Sequence, residues 1–395
     1  MSWRHRGDER VYSPLAAQVN VLVTGGAGFV GRHLVKRLVG AGYSLRVLDS
    51  LSEQVHGPSA TPPPDLAGAE FVHGDVRDAD CLAAALVGVD AVVHLAAETG
   101  VGQSMYEVER YVDANDRGTA CLLQGLVRCQ RPVRVVLASS RAVYGEGLYR
   151  CQRCGDVSPP PRDAIALQRG AWDPVCPMCG GAIDSLPTHE AAGTEPGSIY
   201  AATKLAQEHL CRILGNAYGM SSVILRYFNV YGPGQSLSNP YTGILSTFHA
   251  RATHEHAIEV YEDGRESRDF VFIDDVIEAT CRALLHTEDQ PHSLVLNVGT
   301  GIPVSIMDLA RALVRIGDWD VPIRVTGGYR VGDVRHSFAD TQRATRVLGF
   351  AAATSLEEGL QRWLAWAEGR NELDATDVAR EHLASRGLFR SAERG

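Results

Sequence analysis

A glycine-rich turn between two apolar runs constrains the fold of this chain more than any other feature. The first run covers 19–23, the turn covers 24–31 with glycine at every third position from Gly25, and an amphipathic helical pattern follows it. The second apolar run, 45–49, ends in Asp49. A strand, a glycine turn, a helix and a second strand with an acidic end are typical of the dinucleotide-binding unit of a doubly wound α/β fold.

The turn predicts where a dinucleotide lies. Glycine lets the backbone approach a pyrophosphate, and the helix N-terminus binds it. Asp49 lies about 20 residues further on, where it can accept hydrogen bonds from the adenosine ribose. Its carboxylate repels a 2′-phosphate, which favours NAD over NADP, and the absence of Gly-Lys-Ser/Thr excludes a P-loop. Alternatively the glycines mark only a tight turn. The predicted contacts in the turn are Gly25, Gly28, Phe29, Val30 and Gly31.

Three later strands extend the predicted parallel sheet. The run 70–76 places Asp75 near the adenine amino group, although Asp75 could instead cap a helix. The run 91–97 ends in small residues that suit a backbone packed against nicotinamide, and 133–138 delivers Ser139 and Ser140 at a carboxyl end, where ligands bind. The cofactor contacts predicted on these strands are Asp75, Val76, Leu95, Ala96, Ala97 and Ser139.

Tyr200 and Lys204 provide a candidate acid–base pair. Residues 198–214 have a helical pattern, so two side chains four apart project from one face. An ammonium close to a phenol lowers the tyrosine pKa, which makes Tyr200 a candidate proton acceptor near neutral pH. Ser140 could hydrogen-bond the oxygen being oxidised. The simpler alternative is a surface helix that carries a tyrosine and a lysine one turn apart.

Four clustered cysteines predict a metal site. Two Cys-x-x-Cys pairs, each followed by glycine, are separated by 21 residues. Four thiolates with glycines that permit tight turns are typical of a zinc ribbon, whereas a redox dithiol needs only one pair. The segment 146–195 contains four arginines, no lysine and seven acids, which is the wrong sign for a nucleic-acid phosphate backbone. The predicted zinc ligands are Cys151, Cys154, Cys176 and Cys179.

Composition limits the remaining function classes. A net charge of −9 argues against a general nucleic-acid partner, and the sequence lacks the long apolar run of a membrane span. Residues 1–18 are polar, without the apolar core of a signal peptide. The other five of the nine cysteines are scattered through predicted helices, which suits a reducing compartment. We therefore expect a cytoplasmic protein with no membrane partner.

The motifs together resemble one family. Besides the glycine turn, the chain contains six further motifs in a fixed order. They are His-Leu-Ala-Ala at 94–97, Ser-Ser at 139–140, Val-Tyr-Gly at 143–145, Tyr-x-x-x-Lys at 200–204, Arg-Tyr-Phe-Asn-Val-Tyr-Gly-Pro at 226–233 and Arg-Asp-Phe-Val-Phe-Ile-Asp-Asp-Val at 268–276. This set resembles the extended short-chain dehydrogenases/reductases, specifically the NAD-dependent nucleotide-sugar epimerase/dehydratase family. The similarity covers about 20–366 apart from the cysteine-containing insertion.

The resemblance implies roles for individual residues. Tyr200 would be the base, Lys204 its partner and a ribose contact, and Ser140 the assisting hydroxyl. Asn115 and Tyr227 would join the cofactor contacts. The substrate contacts predicted for a nucleotide-diphosphate sugar are Ser140, Arg141, Tyr200, Asn229, Arg268, Arg330 and Arg335. The planar guanidinium group of an arginine can bind phosphate bidentately. Alternatively, these arginines could form surface ion pairs, and Asn229 could be a turn residue. The family also implies a homodimer.

The residues after Ser140 distinguish the reactions of the family. Dehydratases of this family carry an Asp-Glu pair there, whereas this chain continues Arg-Ala-Val-Tyr. The expected activity is therefore an NDP-sugar 4-epimerase that acts on a dTDP- or UDP-hexose through a keto sugar. The alternatives are an NAD(P)H-dependent keto-sugar reductase and a non-catalytic NAD-binding scaffold. The insertion and the run 140–145 are similar to the dTDP-L-rhamnose 4-epimerase subgroup.

The predicted architecture is α/β, a Rossmann doubly wound parallel sheet with a smaller C-terminal substrate lobe and an inserted zinc ribbon. The predicted boundaries are a disordered N-terminus (1–18), an NAD-binding domain (19–222) interrupted by the ribbon (146–195), a nucleotide-sugar-binding lobe (223–369) with some elements returning to the sheet, and an exposed C-terminal helix and tail (370–395).

Overall fold

A computed structural model describes residues 19–58, 60–129, 131–237, 243–286, 293–370, 374 and 376–392. The prediction of a disordered N-terminus (1–18) lies outside the described residues. No helix among the described residues is long and apolar enough to cross a membrane.

Strands and helices are numbered along the chain. The strands are β1 (Asn20–Thr24), β2 (Ser44–Asp49), β3 (Glu70–His73), β4 (Ala91–His94), β5 (Arg134–Ser140), β6 (Tyr149–Cys151), β7 (Gly155–Val157), β8 (Ile183–Ser185), β9 (Ser222–Tyr227), β10 (Asn229–Tyr231), β11 (Ile258–Val260), β12 (Ser267–Arg268), β13 (Phe270–Phe272), β14 (Ser293–Val298), β15 (Val304–Ser305), β16 (Ile323–Val325), β17 (Gly328–Arg330), β18 (His336–Ser337) and β19 (Phe389–Ser391). The α-helices are α1 (Phe29–Gly40), α2 (Glu53–His56), α3 (Ala79–Ala85), α4 (Val101–Ser104), α5 (Val108–Tyr111), α6 (Gly118–Arg128), α7 (Ala164–Gln168), α8 (Ile199–Tyr218), α9 (Ile244–Thr253), α10 (Ile273–Leu285), α11 (Ile306–Ile316), α12 (Gln342–Leu348), α13 (Leu356–Ala367) and α14 (Thr376–Ala384). Short 3₁₀ segments cover Pro64–Leu66 and Arg141–Tyr144, and a π-helix covers Val112–Arg117.

A seven-stranded parallel sheet forms the centre, in the order β3-β2-β1-β4-β5-β9-β14. This is the predicted doubly wound arrangement, and β14 is an element that returns to the sheet from the C-terminal half of the chain. The strand that carries Asp75 is shorter than predicted, because β3 ends at His73. Asp75 and Val76 therefore lie in the following loop.

Alternate residues of the buried strands support opposite faces of the sheet. In β1, Val21 and Val23 belong to the apolar cluster that contains α1 and α10, whereas Leu22 belongs to the cluster that contains α3, α6 and α8. A parallel strand covered by helices on both sides has apolar residues at consecutive positions. This double burial explains the short unbroken apolar runs in the sequence.

The C-terminal half adds small sheets and helices beside the main sheet. β10 pairs with β13, β11 with β16, and β12 lies between β15 and β18. The predicted C-terminal helix is present as α14, and most of its residues are exposed. It packs on the protein through one face, where Ala379 and Leu383 are buried, and β19 after it pairs antiparallel with β17. Two apolar residues four positions apart lie on one side of a helix, which explains this one-sided packing.

The insertion folds as its own small unit. β6 lies between β7 and β8 in an antiparallel three-stranded sheet, and Tyr149, Cys151, Val157 and Cys176 form its buried apolar cluster. Four buried residues are too small a core to stabilise a fold of this size alone, so such units depend on metals or disulfides.

Candidate active site

The glycine turn is shaped by close backbone contacts. Gly25 has a φ of +69°, and a Cβ there would lie 2.6 Å from the Ala96 nitrogen; a Cβ on Gly31 would lie 2.5 Å from the Gly25 oxygen. No other residue fits at these two positions. Gly28 precedes α1 and provides no side-chain cap, so the helix N-terminus keeps unpaired N–H groups that suit a pyrophosphate.

Asp49 and Asp75 lie at the adenosine side of the turn. Asp49, at the end of β2, accepts hydrogen bonds from the Ala27 and Leu51 nitrogens, at 2.9 and 2.8 Å. It therefore ties the turn to the second strand. Asp75 accepts from the Arg77 side chain at 2.6 and 2.9 Å, and this bond holds the pKa of Asp75 below its usual range. The alternative that Asp75 caps a helix is wrong, because Asp78 caps α3.

Tyr200 lies at the start of α8, where Ser198 caps the helix by accepting from the Ala201 nitrogen at 3.2 Å. Ser140 ends β5 and caps the 3₁₀ segment behind it. The Ser140 hydroxyl opposes the rise in the pKa of Tyr200 that burial causes. Ser140 and Tyr200 therefore act on each other at the carboxyl end of β5, where the sequence predicted both.

Lys204 lies beside Tyr200, and the backbone of β5 also holds its ammonium. Its ammonium donates to the Ala138 carbonyl at 2.9 Å and lies 6.0 Å from the centre of the Tyr200 ring. Burial lowers the pKa of Lys204 to about 8. Burial likewise raises the pKa of Tyr200, and the groups that oppose this shift are Ser140 and the Arg141 guanidinium. In the chain alone, the cation that favours the phenolate is therefore Arg141.

A buried polar chain, which the motifs did not predict, links the glycine turn to α8. The Thr24 hydroxyl lies 2.7 Å from His94 Nδ1, and His94 Nε2 lies 3.0 Å from the Thr119 hydroxyl. Gln207 on α8 donates to Thr119 at 2.6 Å. Burial lowers the pKa of His94 to about 3, so His94 stays neutral. The short polar residues buried in otherwise apolar strands were the signal for this network.

Several predicted cofactor contacts are engaged in the scaffold. Asn115 donates to the Thr203 hydroxyl at 3.0 Å and thereby holds α8. The Ser139 hydroxyl donates to Glu208, and the Tyr227 hydroxyl lies 2.8 Å from that of Thr280. Leu95, Ala96 and Ala97 follow β4 beside the turn, and Phe29 and Val30 begin α1. Each of these positions borders the carboxyl edge of the sheet.

Three predicted substrate contacts leave polar groups available. Arg141 makes no hydrogen bond to another described residue, and burial lowers its pKa to about 10. The Asn229 side-chain oxygen and the Arg330 Nε are buried among the described residues without a partner. Arg268 is buried, and its two Nη atoms bind Asp333 at 2.7 Å and the carbonyls of residues 267, 334 and 335, so only its Nε has no partner among the described residues. An anionic substrate can satisfy the unpaired arginine donors, whereas the Asn229 oxygen needs a donor.

The assignment of Arg335 to the substrate is wrong. Its side chain is 2% exposed and binds three carboxylates, with Nε 2.7 Å from Asp173, and Nη1 3.0 Å from Glu262 and 2.7 Å from Asp263. Nη2 donates to Asp263 at 2.9 Å. Because its guanidinium is fully engaged, Arg335 is part of the scaffold.

The four clustered cysteines meet as predicted. Their Sγ atoms all lie within 4.8 Å of one another. A tetrahedral zinc–sulfur site with bonds of about 2.3 Å has sulfur–sulfur edges of about 3.8 Å, which this cluster can reach. Gly155 and Gly180 have φ of +80° and +69°, so each glycine makes the turn that its sequence indicated.

Known proteins are similar to this chain in sequence and in fold. The profile of the NAD dependent epimerase/dehydratase family matches residues 21–168 and 176–299. The chain is 40% identical over 353 residues to dTDP-L-rhamnose 4-epimerase of Burkholderia thailandensis, covering 87% of this chain and 94% of that protein. The chain therefore belongs to the NAD-dependent epimerase/dehydratase family. The predicted resemblance to the dTDP-L-rhamnose 4-epimerase subgroup is confirmed by this identity.

Solved structures give the same assignment. UDP-glucose 4-epimerase of Thermotoga maritima, with UDP-glucose, is 28% identical and has a TM-score of 0.72, covering 90% of this chain and 100% of that chain. UDP-glucuronic acid 4-epimerase from Bacillus cereus, in complex with UDP-glucuronic acid and NAD, is 26% identical and has a TM-score of 0.71, covering 88% of this chain and 98% of that chain. The predicted Rossmann fold is confirmed.

Proposed function

We propose that this protein is an NAD-dependent nucleotide-sugar 4-epimerase. The observation that carries the proposal is the position of Ser140 at the carboxyl end of β5, where it acts on Tyr200 and is followed by Arg141 in place of an acid. Removing one proton from a sugar hydroxyl needs one base. Elimination of water needs an additional acid and base, which the sequence after Ser140 does not provide.

NAD would lie on the glycine turn, because Gly28 offers no side-chain cap and the N-terminus of α1 can therefore present backbone N–H groups to the pyrophosphate. When bound, NAD would supply the hydride acceptor and donor for the sugar carbon. Tyr200 takes the proton of the sugar hydroxyl as the keto sugar forms and returns it afterwards. Ser140 donates to the reacting oxygen, and Lys204 would bind the nicotinamide ribose. Ser140 and Arg141 both favour the phenolate.

The proposed substrate is a nucleoside-diphosphate hexose or deoxyhexose. Arg268 and Arg330 would bind the diphosphate, Asn229 would donate its side-chain amide to the same group, and Arg141 would contact the sugar end near Tyr200. Planar guanidinium groups match phosphate oxygens bidentately. The 40% identity to dTDP-L-rhamnose 4-epimerase makes dTDP-L-rhamnose the first sugar to test.

The proposal is tested by incubating purified protein with dTDP-L-rhamnose, UDP-glucose and UDP-N-acetylglucosamine, with no added cofactor. Products are followed by NMR at every sugar carbon. We expect inversion at C4 of one sugar and no net change in NAD redox state. Turnover only of a keto sugar, and only with added NADH or NADPH, would instead identify a reductase. No turnover of any sugar under either condition would favour a scaffold.

We propose further that the four cysteines bind one structural zinc. Four thiolates without an open position resemble structural sites, in which the metal supplies folding energy. The ribbon starts just after Ser140 and ends just before Tyr200, so it would shape or cover the sugar pocket. This metal takes no part in the reaction.

We also propose a homodimer formed through the helices that carry Asn115 and Tyr200. Exposed apolar side chains lie on both, namely Val108 and Val112 before α6 and Ile213 on α8, with exposures of 44%, 42% and 60%. Exposed apolar patches of this kind mark protein interfaces.

A reducing compartment such as the cytoplasm is proposed from the scattered single cysteines in α3, α6, α8 and α10.

The dimer makes a specific prediction. Ile213→Glu places a charge in the proposed interface, so we expect sedimentation to shift from dimer to monomer at micromolar concentration. The matched control is Ile165→Glu, because Ile165 is 59% exposed but lies in the insertion. A wild-type chain that sediments as a monomer, or an Ile213→Glu variant that remains dimeric, contradicts this interface.

A further inference from the structure

Arg162 of the insertion reaches the scaffold behind the proposed diphosphate site. Its side chain is 3% exposed, with Nε 3.1 Å from Glu146 and Nη2 2.7 Å from Glu262. Nη2 also donates to the carbonyl of Asp333 at 2.9 Å. One guanidinium therefore joins the insertion to two separate parts of the C-terminal lobe.

These contacts close into a ring of buried charges. Glu262 also accepts from Arg335 at 3.0 Å, and the backbone nitrogen of Arg335 donates to Glu146 at 2.8 Å. Glu262 has a φ of +47°, a strained conformation for a residue other than glycine. We call Glu146, Arg162, Glu262 and Arg335 the charge ring. Its ion pairs are shielded from water, so each partner fixes the geometry of the others.

The charge ring ends at the proposed substrate contacts. Asp333, held through its carbonyl by Arg162, accepts from Arg268 Nη2 at 2.7 Å through its carboxylate. Arg268 Nη1 donates to the Arg335 carbonyl at 3.2 Å. Although burial raises it, the pKa of Asp333 is held at about 2 by Arg268, Arg330 and Arg141, so this carboxylate stays ionised. The segment 333–335 thus touches both Arg162 and Arg268.

We propose that Arg162 is a positioning residue for the diphosphate site. Its hydrogen bonds fix the position of the segment 333–335, and this segment orients Arg268 toward the substrate. The insertion therefore affects the affinity for the substrate. The inference rests on the proposed function, because it requires a nucleoside diphosphate to bind near Arg268. It assigns the insertion a role in binding that is distinct from covering the sugar.

Calorimetric titration of dTDP and of UDP into the purified full-length protein tests this inference without turnover. Arg162→Met removes the charge but keeps an apolar stem. We expect it to raise the Kd for the nucleoside diphosphate roughly tenfold, equivalent to about 1.4 kcal/mol. Arg162→Lys keeps the charge but cannot bind all of these partners at once, and we expect it to recover part of the affinity. The matched control is Arg169→Met, an exposed arginine of the same insertion, which should bind as the wild type does.

Kinetics and stability separate positioning from a structural role. We expect Arg162→Met to raise KM for the nucleotide sugar with kcat changed less than about twofold, since binding lost equally in ground and transition states appears in KM. A lower Tm with unchanged Kd and KM would overturn the inference. If Arg162→Met does not fold, Arg162→Lys and Glu146→Gln decide, and unchanged affinity in both overturns it. A wild-type chain that binds neither dTDP nor UDP would overturn the proposed function itself.

Discussion

Tyr200→Phe is expected to lower kcat roughly 10²- to 10⁴-fold, the range that a positioned acid–base group contributes. The substitution removes one oxygen and keeps the ring. Ser140 and Arg141 both lower the pKa of the hydroxyl that is removed, and α8 sets the position of the ring. The Kd for dTDP or UDP should therefore change less than about threefold, because the diphosphate contacts lie on other elements. The measurement is NMR turnover of the sugar that the wild type inverts.

Arg141→Met is the companion variant, because Arg141 lowers the pKa of Tyr200 across space. The base works as the phenolate, so kcat rises as pH rises through the pKa of Tyr200. Removing the guanidinium raises that pKa, and the rising limb should move to higher pH while Tyr200→Phe shows no such limb. Activity of Tyr200→Phe within tenfold of the wild type would contradict the assignment of the base.

The fold could be predicted from the sequence because its signals are local. Strand, glycine turn and helix are adjacent in the chain, and Gly25 and Gly31 are required by contacts within a few residues or with the neighbouring strand. The Cys-x-x-Cys-Gly pairs likewise carry their own turns. Features of this kind depend little on distant packing, which explains why their positions agree with the structure.

The roles of buried charges could not be predicted, since they depend on partners that are far away in sequence. Arg335 was predicted as a substrate contact, yet Glu262 and Asp263 bind its guanidinium. Lys204 lies one turn from Tyr200, yet its ammonium donates to Ala138. The C-terminal segment looked polar because Ala379 and Leu383 are the buried residues of α14. The composition of a segment does not show which side of a helix packs against the protein.

Replacing the four cysteines of the ribbon by serine is expected to unfold the insertion. Metal binding supplies about 10–16 kcal/mol in zinc-finger peptides, and the apolar cluster of the ribbon is too small to replace that energy. Metal analysis should give one zinc per wild-type chain and none in the variant. Protease digestion should cut the variant between 151 and 195, a region that is protected in the wild type.

Turnover should fall in the same variant by roughly hundredfold, the loss that a displacement of about 1 Å can cause in an active site. When the ribbon unfolds, Arg162 and Asp173 lose their contacts with the rest of the protein. The ends of the insertion also lie close to the active site in the chain, because Gly145 follows Ser140 by five residues and Gly197 precedes Tyr200 by three. Cys129→Ser, outside the ribbon, is the control and should keep zinc and activity. If the zinc-free variant inverts its sugar at the wild-type rate, the ribbon does not shape the pocket. If only KM rises while kcat is retained, the ribbon acts through Arg162 on the diphosphate and not on the sugar.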